Sequence, residues 1–423
     1  LSFLILQAAH ELAIPYNLAI RVYPGMDRRL LRRSLEYTLE RGSGPSYSCA
    51  TGIEEGYMRQ GHRRQLARLR AKVGCNWVAL PGIEYPLQDV TRLNLGQAWN
   101  AAWRDVLDDS GTEPTLGRLW ERFAYHVDQM ADIIRDGYDL HLDRVGALTP
   151  ELVLNFFCHG PIERGLNSSD GGVDIINLNL DGIALATVAD SFAAVEQRVV
   201  REGRISWTEL DRALQADFVG FEGVRAMLRA IPRFGSPGSL AQDWARRIRS
   251  HFVDSVTSAP TPRHRIPVIP GLFSHGDIFK HGEDLPATPN GRCSGEPISH
   301  SSEPDPGFAR GIAGFSPTLK ANAVAAVQPG WGNSAPLHLD IDTDLIGGEA
   351  GIGLLEALIL GHDEMGGTLI NLNCVTREQI LRAHEDPALE PDLVVRVTGY
   401  SAFFASLSRD YRQQVVDRYL SRG

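Results

Sequence analysis

An α/β fold is predicted for this chain of 423 residues by the order of its apolar patterns. A strand pattern at 18–23 ends at a Pro-Gly pair, and residues 26–40 then place four leucines on one helical face. The same succession of strand and helix returns near the end of the chain, with a strand predicted at 368–375 and a helix at 376–385. Strands that alternate with helices build α/β folds.

Most of the remaining elements are predicted to be helical. A basic helix is predicted at 62–72, and the segment 73–82, where apolar residues surround Cys75, is predicted as a strand or a loop tip. Nine prolines within 258–312 exclude long regular elements there and indicate a domain boundary. A further strand is predicted at 393–398. A 3.6-residue apolar period predicts the other helices: 95–108, 116–137, 182–202, 207–217, 239–257, 316–328, 351–361 and 408–420.

The composition excludes several classes of protein. Hydrophobic residues make up 43% of the chain and charged residues 22%, as in globular proteins. The formal net charge of −10 provides no cationic surface for nucleic acid or anionic lipid. Residues 1–9 are apolar but too short for a membrane span, and they lack the basic n-region of an export signal. Because the chain begins with Leu inside this apolar pattern, we expect it to be part of a longer protein.

The cysteines indicate a reducing environment. There are five of them, an odd number, and no two form a CxxC pair. This spacing argues against a disulfide framework and against a structural zinc site. A cytoplasmic location is therefore predicted.

The strand predicted at 393–398 ends at Gly399 and Tyr400. From position alone, a glycine between a strand and an aromatic residue is interpreted as a turn residue that needs a positive φ. The longer segment 392–404 is more specific: it is Asp-Leu-Val-Val-Arg-Val-Thr-Gly-Tyr-Ser-Ala-Phe-Phe, and a predicted helix follows it to near the end of the chain.

This segment resembles the signature of glycyl radical enzymes, the pyruvate formate-lyase and glycerol dehydratase-like family, in which Arg-Val-(small residue)-Gly-Tyr lies near the C-terminus. Several spaced motifs in the right order are far more specific than one short motif. The resemblance extends over nearly the whole chain, because further segments follow in the family's order: 171–191, 287–297, 364–373, 377–379 and 387–391.

The resemblance implies that Gly399 stores the radical. Glycine has no Cβ, so its α-carbon can become planar after losing hydrogen and can spread the unpaired electron over the neighbouring amide nitrogen and carbonyl. Such a radical needs shielding from oxygen and water, which implies a buried loop. Arg396, Thr398 and Tyr400 are the residues expected to support that loop.

The resemblance also implies that Cys75 uses the radical. A lone cysteine in an apolar segment is ordinarily a small buried hydrophobe. In this family, however, a Gly-Cys tip faces the glycine tip, and Gly74 and Cys75 match it. An S–H bond is weak enough to exchange hydrogen with a glycyl C–H, and the thiyl radical can then take hydrogen from a substrate carbon.

The family implies an architecture and a set of partners. The expected fold is the C-terminal part of a ten-stranded α/β barrel, with opposed Cys and Gly loops in its centre. Residues 1–275 would form the barrel portion and residues 276–423 the glycine radical domain. The cofactor would be the protein-based radical itself. A radical S-adenosylmethionine activase with an iron-sulfur cluster would generate it, the substrate would be a small molecule, and a homodimer is suggested.

The chain departs from two familiar members of this family at the cysteine tip. Pyruvate formate-lyase proper has two adjacent cysteines there, whereas Cys75 stands alone, so acyl transfer from pyruvate is doubtful. Diol dehydratases and choline lyase carry Cys-x-Glu, in which the glutamate takes a proton, whereas position 77 is Trp. Glu84 and Glu163 are alternative bases. Trp77 either packs on an aromatic or apolar substrate or only fills the barrel.

The family's Ile-Glu-Lys/Arg-Gly segment corresponds to the stretch from Cys158 to Gly165. Cys158 and Glu163 could therefore line a substrate pocket. The favoured interpretation for Glu163 is instead a partly buried ion pair with Arg164.

No metal is expected in this chain. His275 and His300 lack a second ligand cluster, so they are interpreted as solvated loop histidines. The segment 338–344 resembles a calcium loop only in its acids.

Two hypotheses of function follow. The first is a glycyl radical enzyme that cleaves a C–C, C–O or C–N bond of a small organic substrate, as a lyase, dehydratase or decarboxylase. The second is a non-catalytic remnant or spare radical-bearing chain without turnover of its own, which the missing Cys-x-Glu glutamate would favour.

Overall fold

The computed structural model describes residues 1–12, 14–274, 276–305, 316–344 and 346–420. The α-helices are α1 (Ser2–Leu12), α2 (Arg28–Arg41), α3 (Thr51–Arg59), α4 (Arg64–Ala67), α5 (Leu95–Leu107), α6 (Leu116–Leu148), α7 (Pro161–Arg164), α8 (Leu185–Ala194), α9 (Trp207–Gln215), α10 (Glu222–Arg229), α11 (Leu240–Thr257), α12 (Ile278–Glu283), α13 (Pro317–Ala325), α14 (Gly348–Glu364), α15 (Arg377–Glu385) and α16 (Arg409–Leu420). The strands are β1 (Ala19–Val22), β2 (Ser46–Cys49), β3 (Ala71–Val73), β4 (Trp77–Ala79), β5 (Glu84–Leu87), β6 (Arg92–Asn94), β7 (Ile175–Ile183), β8 (Val268–Gly271), β9 (Leu337–Ile341), β10 (Leu369–Cys374), β11 (Val394–Arg396) and β12 (Ser401–Phe403).

Two four-stranded sheets form the framework. In the first sheet the order is β1-β2-β10-β9, and every pair is parallel except β2 with β10. In the second sheet β7 is central, with β5, β6 and β8 all parallel to it. The first sheet combines strands from both sides of the predicted boundary at 275/276, and that boundary remains a prediction.

Two short hairpins carry Cys75 and Gly399 at their tips. The Cys hairpin consists of β3 and β4 with residues 74–76 at its tip, and the Gly hairpin consists of β11 and β12 with residues 397–400 at its tip. Both are fixed to β10: Asn371 Nδ2 donates to Asn76 Oδ1 over 3.0 Å, and Asn373 Nδ2 donates to the Arg396 carbonyl over 2.9 Å. One strand therefore places both tips.

Helices pack around these sheets through apolar stripes. The 33-residue α6 buries a face of residues at helical spacing against α5 and α11, and α8 is buried along its whole length beside α11. This is the largest core cluster, and the second sheet contributes to it. A second cluster lies between the first sheet and helices α2, α13 and α14. Burial of apolar area on this scale is the main favourable term in folding.

Most of the predicted elements are confirmed, and two differ from the structure. The predicted helix at 62–72 is wrong: only Arg64–Ala67 is helical, and strand β3 follows it. The helix predicted at 182–202 begins later and continues from α8 as a π-helix at Val195–Arg201. Strand β7 was not predicted, although residues 177–181 alternate polar and apolar side chains; both sets of side chains are buried in the structure. Among the described residues, no helix combines the length and the apolar composition needed to cross a membrane.

Candidate active site

Gly399 lies buried against the backbone of Cys75. A Cβ on Gly399 would lie 2.4 Å from both the carbonyl carbon and the carbonyl oxygen of Cys75, and 2.5 Å from the Cys75 Cβ. No side chain fits at such distances. The φ angle of Gly399 is outside the left-handed region, so the interpretation as a turn residue that needs positive φ is wrong. Close approach of the two tips is what requires glycine here.

The tip of the Cys hairpin is held by neighbouring side chains. Gly74 adopts φ 52°, a left-handed conformation that favours glycine. Its carbonyl accepts a 2.7 Å hydrogen bond from Asn17 Nδ2. The Ser334 hydroxyl donates to the Asn76 carbonyl, and Asn76 is fully buried. These bonds on both sides of Cys75 fix the position of its thiol.

Arg396 holds the Gly hairpin from inside. Its side chain is 1% exposed, and Nη2 donates to the carbonyl of Gly399 over 2.5 Å. Its Nε donates to Asn371 Oδ1 over 3.1 Å, and Nη2 also donates to the hydroxyl of Ser46. Burial lowers the pKa of Arg396 to about 10, so the guanidinium remains charged at neutral pH. The predicted supporting residue Arg396 thus contacts the glycine directly.

The other two predicted supporting residues differ in burial. Thr398 is 1% exposed, whereas Tyr400 is 37% exposed and its carbonyl closes the turn by accepting a 3.0 Å hydrogen bond from Val397 N. Arg418 on α16 donates to the carbonyls of Val397 and Arg396 over 2.8 and 2.9 Å. This arginine anchors the Gly hairpin from the C-terminal helix, and the sequence pattern did not indicate its role.

The surroundings of Cys75 keep its thiol protonated. Burial raises the pKa of Cys75, although Lys72 and Arg396 oppose that change through their positive charge. Burial in turn lowers the pKa of Lys72 to about 7. A protonated thiol carries the hydrogen that an S–H donor must supply, whereas a nucleophilic cysteine would need the opposite shift.

Trp77 is buried beside the Cys hairpin tip. It is 6% exposed, and its ring meets Phe273 edge to face at a centroid distance of 5.6 Å. On the same side lies Asp181 of β7, which is 1% exposed and accepts a 3.1 Å hydrogen bond from Asn333 Nδ2. Burial raises the pKa of Asp181 to about 7, although Arg92, Trp77 and Asn333 oppose this rise.

The Asp181→Asn variant is expected to change the pH dependence of stability. An exposed aspartate titrates near 3.9, so between pH ~4 and ~7 the folded chain binds more protons than the unfolded chain. The contribution of Asp181 to the free energy of unfolding therefore falls as pH rises through this window, by up to about 4 kcal/mol. Denaturant titrations at pH 4 and pH 7.5 should show the variant gaining stability over the wild type as pH rises. A constant difference would contradict the assigned environment of Asp181.

The remaining predicted site residues lie elsewhere. The Glu84 carboxylate is buried and accepts hydrogen bonds from the Tyr57 hydroxyl and from Leu80 N, over 3.0 and 2.8 Å. Glu163 is exposed and caps Gly160 N at the start of α7. Cys158 is half-buried and packs at the edge of the largest core cluster. None of these three residues belongs to the two hairpin tips.

The predicted Glu163–Arg164 ion pair is wrong. Arg164 pairs instead with Asp174, and its Nη1 donates to the Gly172 carbonyl over 2.6 Å. Adjacent residues in a short helix point in different directions, and the 160–174 loop brings Asp174 to Arg164.

The interpretation of His300 as a solvated loop histidine is also wrong. His300 is 1% exposed, and its ring stands edge to face with that of His338 at 4.8 Å. Ligand atoms of His300, Glu303 and His338 lie within 4.8 Å of one another, so a second ligand cluster does exist. The proline-rich segment is buried here, because Ser299 is tied to α8 through Thr187. His275 lies outside the described residues.

Sequence comparison places the chain in a known family. The pyruvate formate lyase-like family model matches residues 1–275, and the glycine radical model matches residues 321–405. The chain belongs to the pyruvate formate lyase-like family of glycyl radical enzymes. All five cysteines are free thiols.

Curated relatives and solved structures agree with this assignment. Trans-4-hydroxy-L-proline dehydratase of Clostridioides difficile is 22% identical over 99% of this chain and 54% of its own length. Isethionate sulfite-lyase of Desulfovibrio desulfuricans is 30% identical over 57% of this chain and 29% of its own. The B12-independent glycerol dehydratase of Clostridium butyricum superposes with a TM-score of 0.89 at 23% identity, covering 98% of this chain and 54% of that one.

These matches establish the fold as that of the glycyl radical enzyme barrels. The chain spans about half the length of the curated relatives that it matches along its whole length.

Proposed function

We propose that this chain carries the radical machinery of a glycyl radical lyase or dehydratase, with Gly399 as the radical residue and Cys75 as the residue that reacts with substrate. The observation that carries the proposal is the approach of Gly399 to Cys75, so close that a Cβ on Gly399 would meet the Cys75 carbonyl at 2.4 Å. Hydrogen transfer between two groups requires such proximity.

The proposed reaction is a series of hydrogen-atom transfers between Gly399, Cys75 and the substrate. An activase removes a hydrogen atom from the α-carbon of Gly399, and the glycyl radical then takes the hydrogen of the Cys75 thiol. The thiyl radical abstracts hydrogen from a substrate carbon, and the substrate radical loses its leaving group. The product radical recovers hydrogen from Cys75, and the resulting thiyl takes a hydrogen atom back from Gly399, so each turnover restores the glycyl radical.

The substrate class is narrowed by the single cysteine. Acyl transfer of the pyruvate formate-lyase type would use two adjacent cysteines, and Gly74 and Asn76 flank Cys75. The relatives named above include dehydratases and a sulfite-lyase, which expel a leaving group from a small polar molecule. We infer an elimination of this kind, at a C–O bond or another carbon–heteroatom bond. Because the named relatives are enzymes, they favour this hypothesis over a non-catalytic remnant.

The partners follow from the same chemistry. A glycyl C–H bond does not break without a strong radical oxidant, so a radical S-adenosylmethionine activase is the proposed partner. Such a radical persists only without oxygen, and a reducing cytoplasm is the proposed location. A homodimer remains part of this proposal.

Electron paramagnetic resonance tests the proposal. The full-length protein that contains this chain is incubated anaerobically with its activase, S-adenosylmethionine and a reductant. We expect a doublet from the α-proton of a glycyl radical, and product formation from a hydroxylated or sulfonated small substrate. A protein that is fully folded and never develops the doublet would contradict the proposal.

A further inference from the structure

A buried charged cluster lies behind the Gly hairpin. It consists of Glu303, Lys320 and His338, and it is called the Glu303 cluster below. Lys320 Nζ lies 2.7 Å from Glu303 Oε2, and His338 Nδ1 lies 2.8 Å from Glu303 Oε1. Glu303 and His338 are each no more than 2% exposed. The sequence separates its three members across a helix, a strand and the proline-rich segment.

The other nitrogen of His338 points at the tip of the Gly hairpin. His338 Nε2 lies 3.1 Å from the carbonyl oxygen of Thr398, the carbonyl of the peptide that ends at Gly399 N. Asn371 Nδ2 also lies 3.2 Å from this nitrogen, but an amide N–H only donates, so Nε2 cannot bond to both groups, and the Thr398 carbonyl is the nearer of the two. The Gly399 carbonyl, on the other side of the α-carbon, accepts from Arg396. Basic side chains therefore contact both carbonyls that flank the radical carbon.

The partners of His338 require both of its ring nitrogens to donate hydrogen bonds, one to the Glu303 carboxylate and one to the Thr398 carbonyl. Burial acts to raise the pKa of the Glu303 carboxyl, but Lys320 and His338 hold that pKa well below its usual range, so Glu303 is a carboxylate. A carboxylate and a peptide carbonyl both accept hydrogen bonds and donate none. An imidazole serves both only when each of its nitrogens carries hydrogen, which is the imidazolium form.

A metal centre fits these residues less well. Both nitrogens of His338 already have partners, and the Lys320 ammonium occupies the cationic position beside Glu303. His300 is the member of the group whose nitrogens have no hydrogen-bond partner among the described residues. One uncommitted ligand is fewer than the three that zinc sites use.

We infer that His338 is a positioning residue for the radical: held by Glu303 and Lys320, it donates to the Thr398 carbonyl and fixes the plane of the Thr398–Gly399 peptide. This inference rests on the proposed function. The unpaired electron spreads into the flanking amides only while they stay coplanar with the radical carbon. With Arg396 on the second carbonyl, the two donors hold both amides in that plane.

Two variants of His338 separate its two contacts. A glutamine amide can reach the position of Nε2 and keep the donor to Thr398, whereas an asparagine amide can replace Nδ1 and keep only the bond to Glu303. His338→Asn is expected to lower the glycyl radical yield about tenfold, the effect of losing one buried charge-assisted hydrogen bond. The α-proton splitting should widen, because more spin density remains on the α-carbon. His338→Gln should restore both values toward those of the wild type.

The control is His362→Asn, which removes a second buried histidine, packed against Gly367 on the C-terminal side of α14. It should leave the splitting unchanged. Equal spectra for His338→Asn and wild type would overturn the inference, as would stoichiometric zinc in the purified protein that disappears in both His338 variants. If the wild type itself gives no radical, the proposed function and the role of His338 both fail, whereas equal spectra in the presence of a radical overturn the role of His338 alone.

Discussion

Gly399→Ala is expected to abolish the glycyl radical signal completely. The added Cβ would lie 2.4 Å from the Cys75 carbonyl, so the two hairpin tips must separate. A side chain would also oppose the flattening of the α-carbon. Forcing a methyl group into packed interior typically costs about 1–3 kcal/mol. Electron paramagnetic resonance after activation should therefore show no doublet, and the melting temperature should fall modestly.

Gly137→Ala is the matched control for this variant. Gly137 lies within α6, and a Cβ there would have no heavy atom within 4 Å. Alanine in a helix interior is favoured over glycine by about 0.5–1 kcal/mol, so this variant should be slightly more stable and fully activated. A normal doublet in Gly399→Ala would show that the radical resides on another residue.

Cys75→Ala is expected to eliminate turnover and leave the radical signal in place. The thiol is the group that passes the radical to the substrate, whereas the radical on Gly399 is formed by the activase. Product formation should fall below detection, while the doublet keeps at least most of its wild-type intensity. Activity assays and spin quantification on the same sample check both statements.

Cys293→Ala serves as the comparison, because Cys293 is also a half-buried free thiol but lies outside the two hairpins. It should keep both turnover and radical. Residual product from Cys75→Ala at more than a few per cent of the wild-type rate would assign the thiyl to another cysteine, of which Cys158 is the first to test.

The sequence predicted the two central residues because each lies in a local pattern. The segment around Gly399 and the Gly74-Cys75 pair are contiguous motifs, and the helical periods that surround them are also local. The side chains that hold the Gly hairpin in place come instead from distant segments of the chain. Arg418 reaches the Gly hairpin from the last helix, and the Glu303 cluster joins residues from three segments. Contacts between distant segments leave no periodic signal in the chain.

Burial explains the errors at individual residues. Prolines in 258–312 correctly exclude long helices from the part of this segment that the structure describes. Irregular backbone need not lie at the surface, however, and here Ser299 to Glu303 is buried. His300 was predicted to be solvated because proline-rich segments usually form exposed loops. The segment 338–344 was compared only with a calcium loop, which it does not match, whereas His338 lies in strand β9 and contacts the Gly hairpin.

The α-proton doublet of the activated protein in D2O tests the central claim most directly. A thiol exchanges its hydrogen with solvent, whereas a glycine Cα–H does not. If Cys75 and Gly399 exchange hydrogen atoms, deuterium reaches the glycine through sulfur, and the doublet should collapse to a singlet in the wild type but persist in Cys75→Ala. A doublet that survives in wild-type protein in D2O, or that collapses equally in Cys75→Ala, would contradict direct transfer between these two residues.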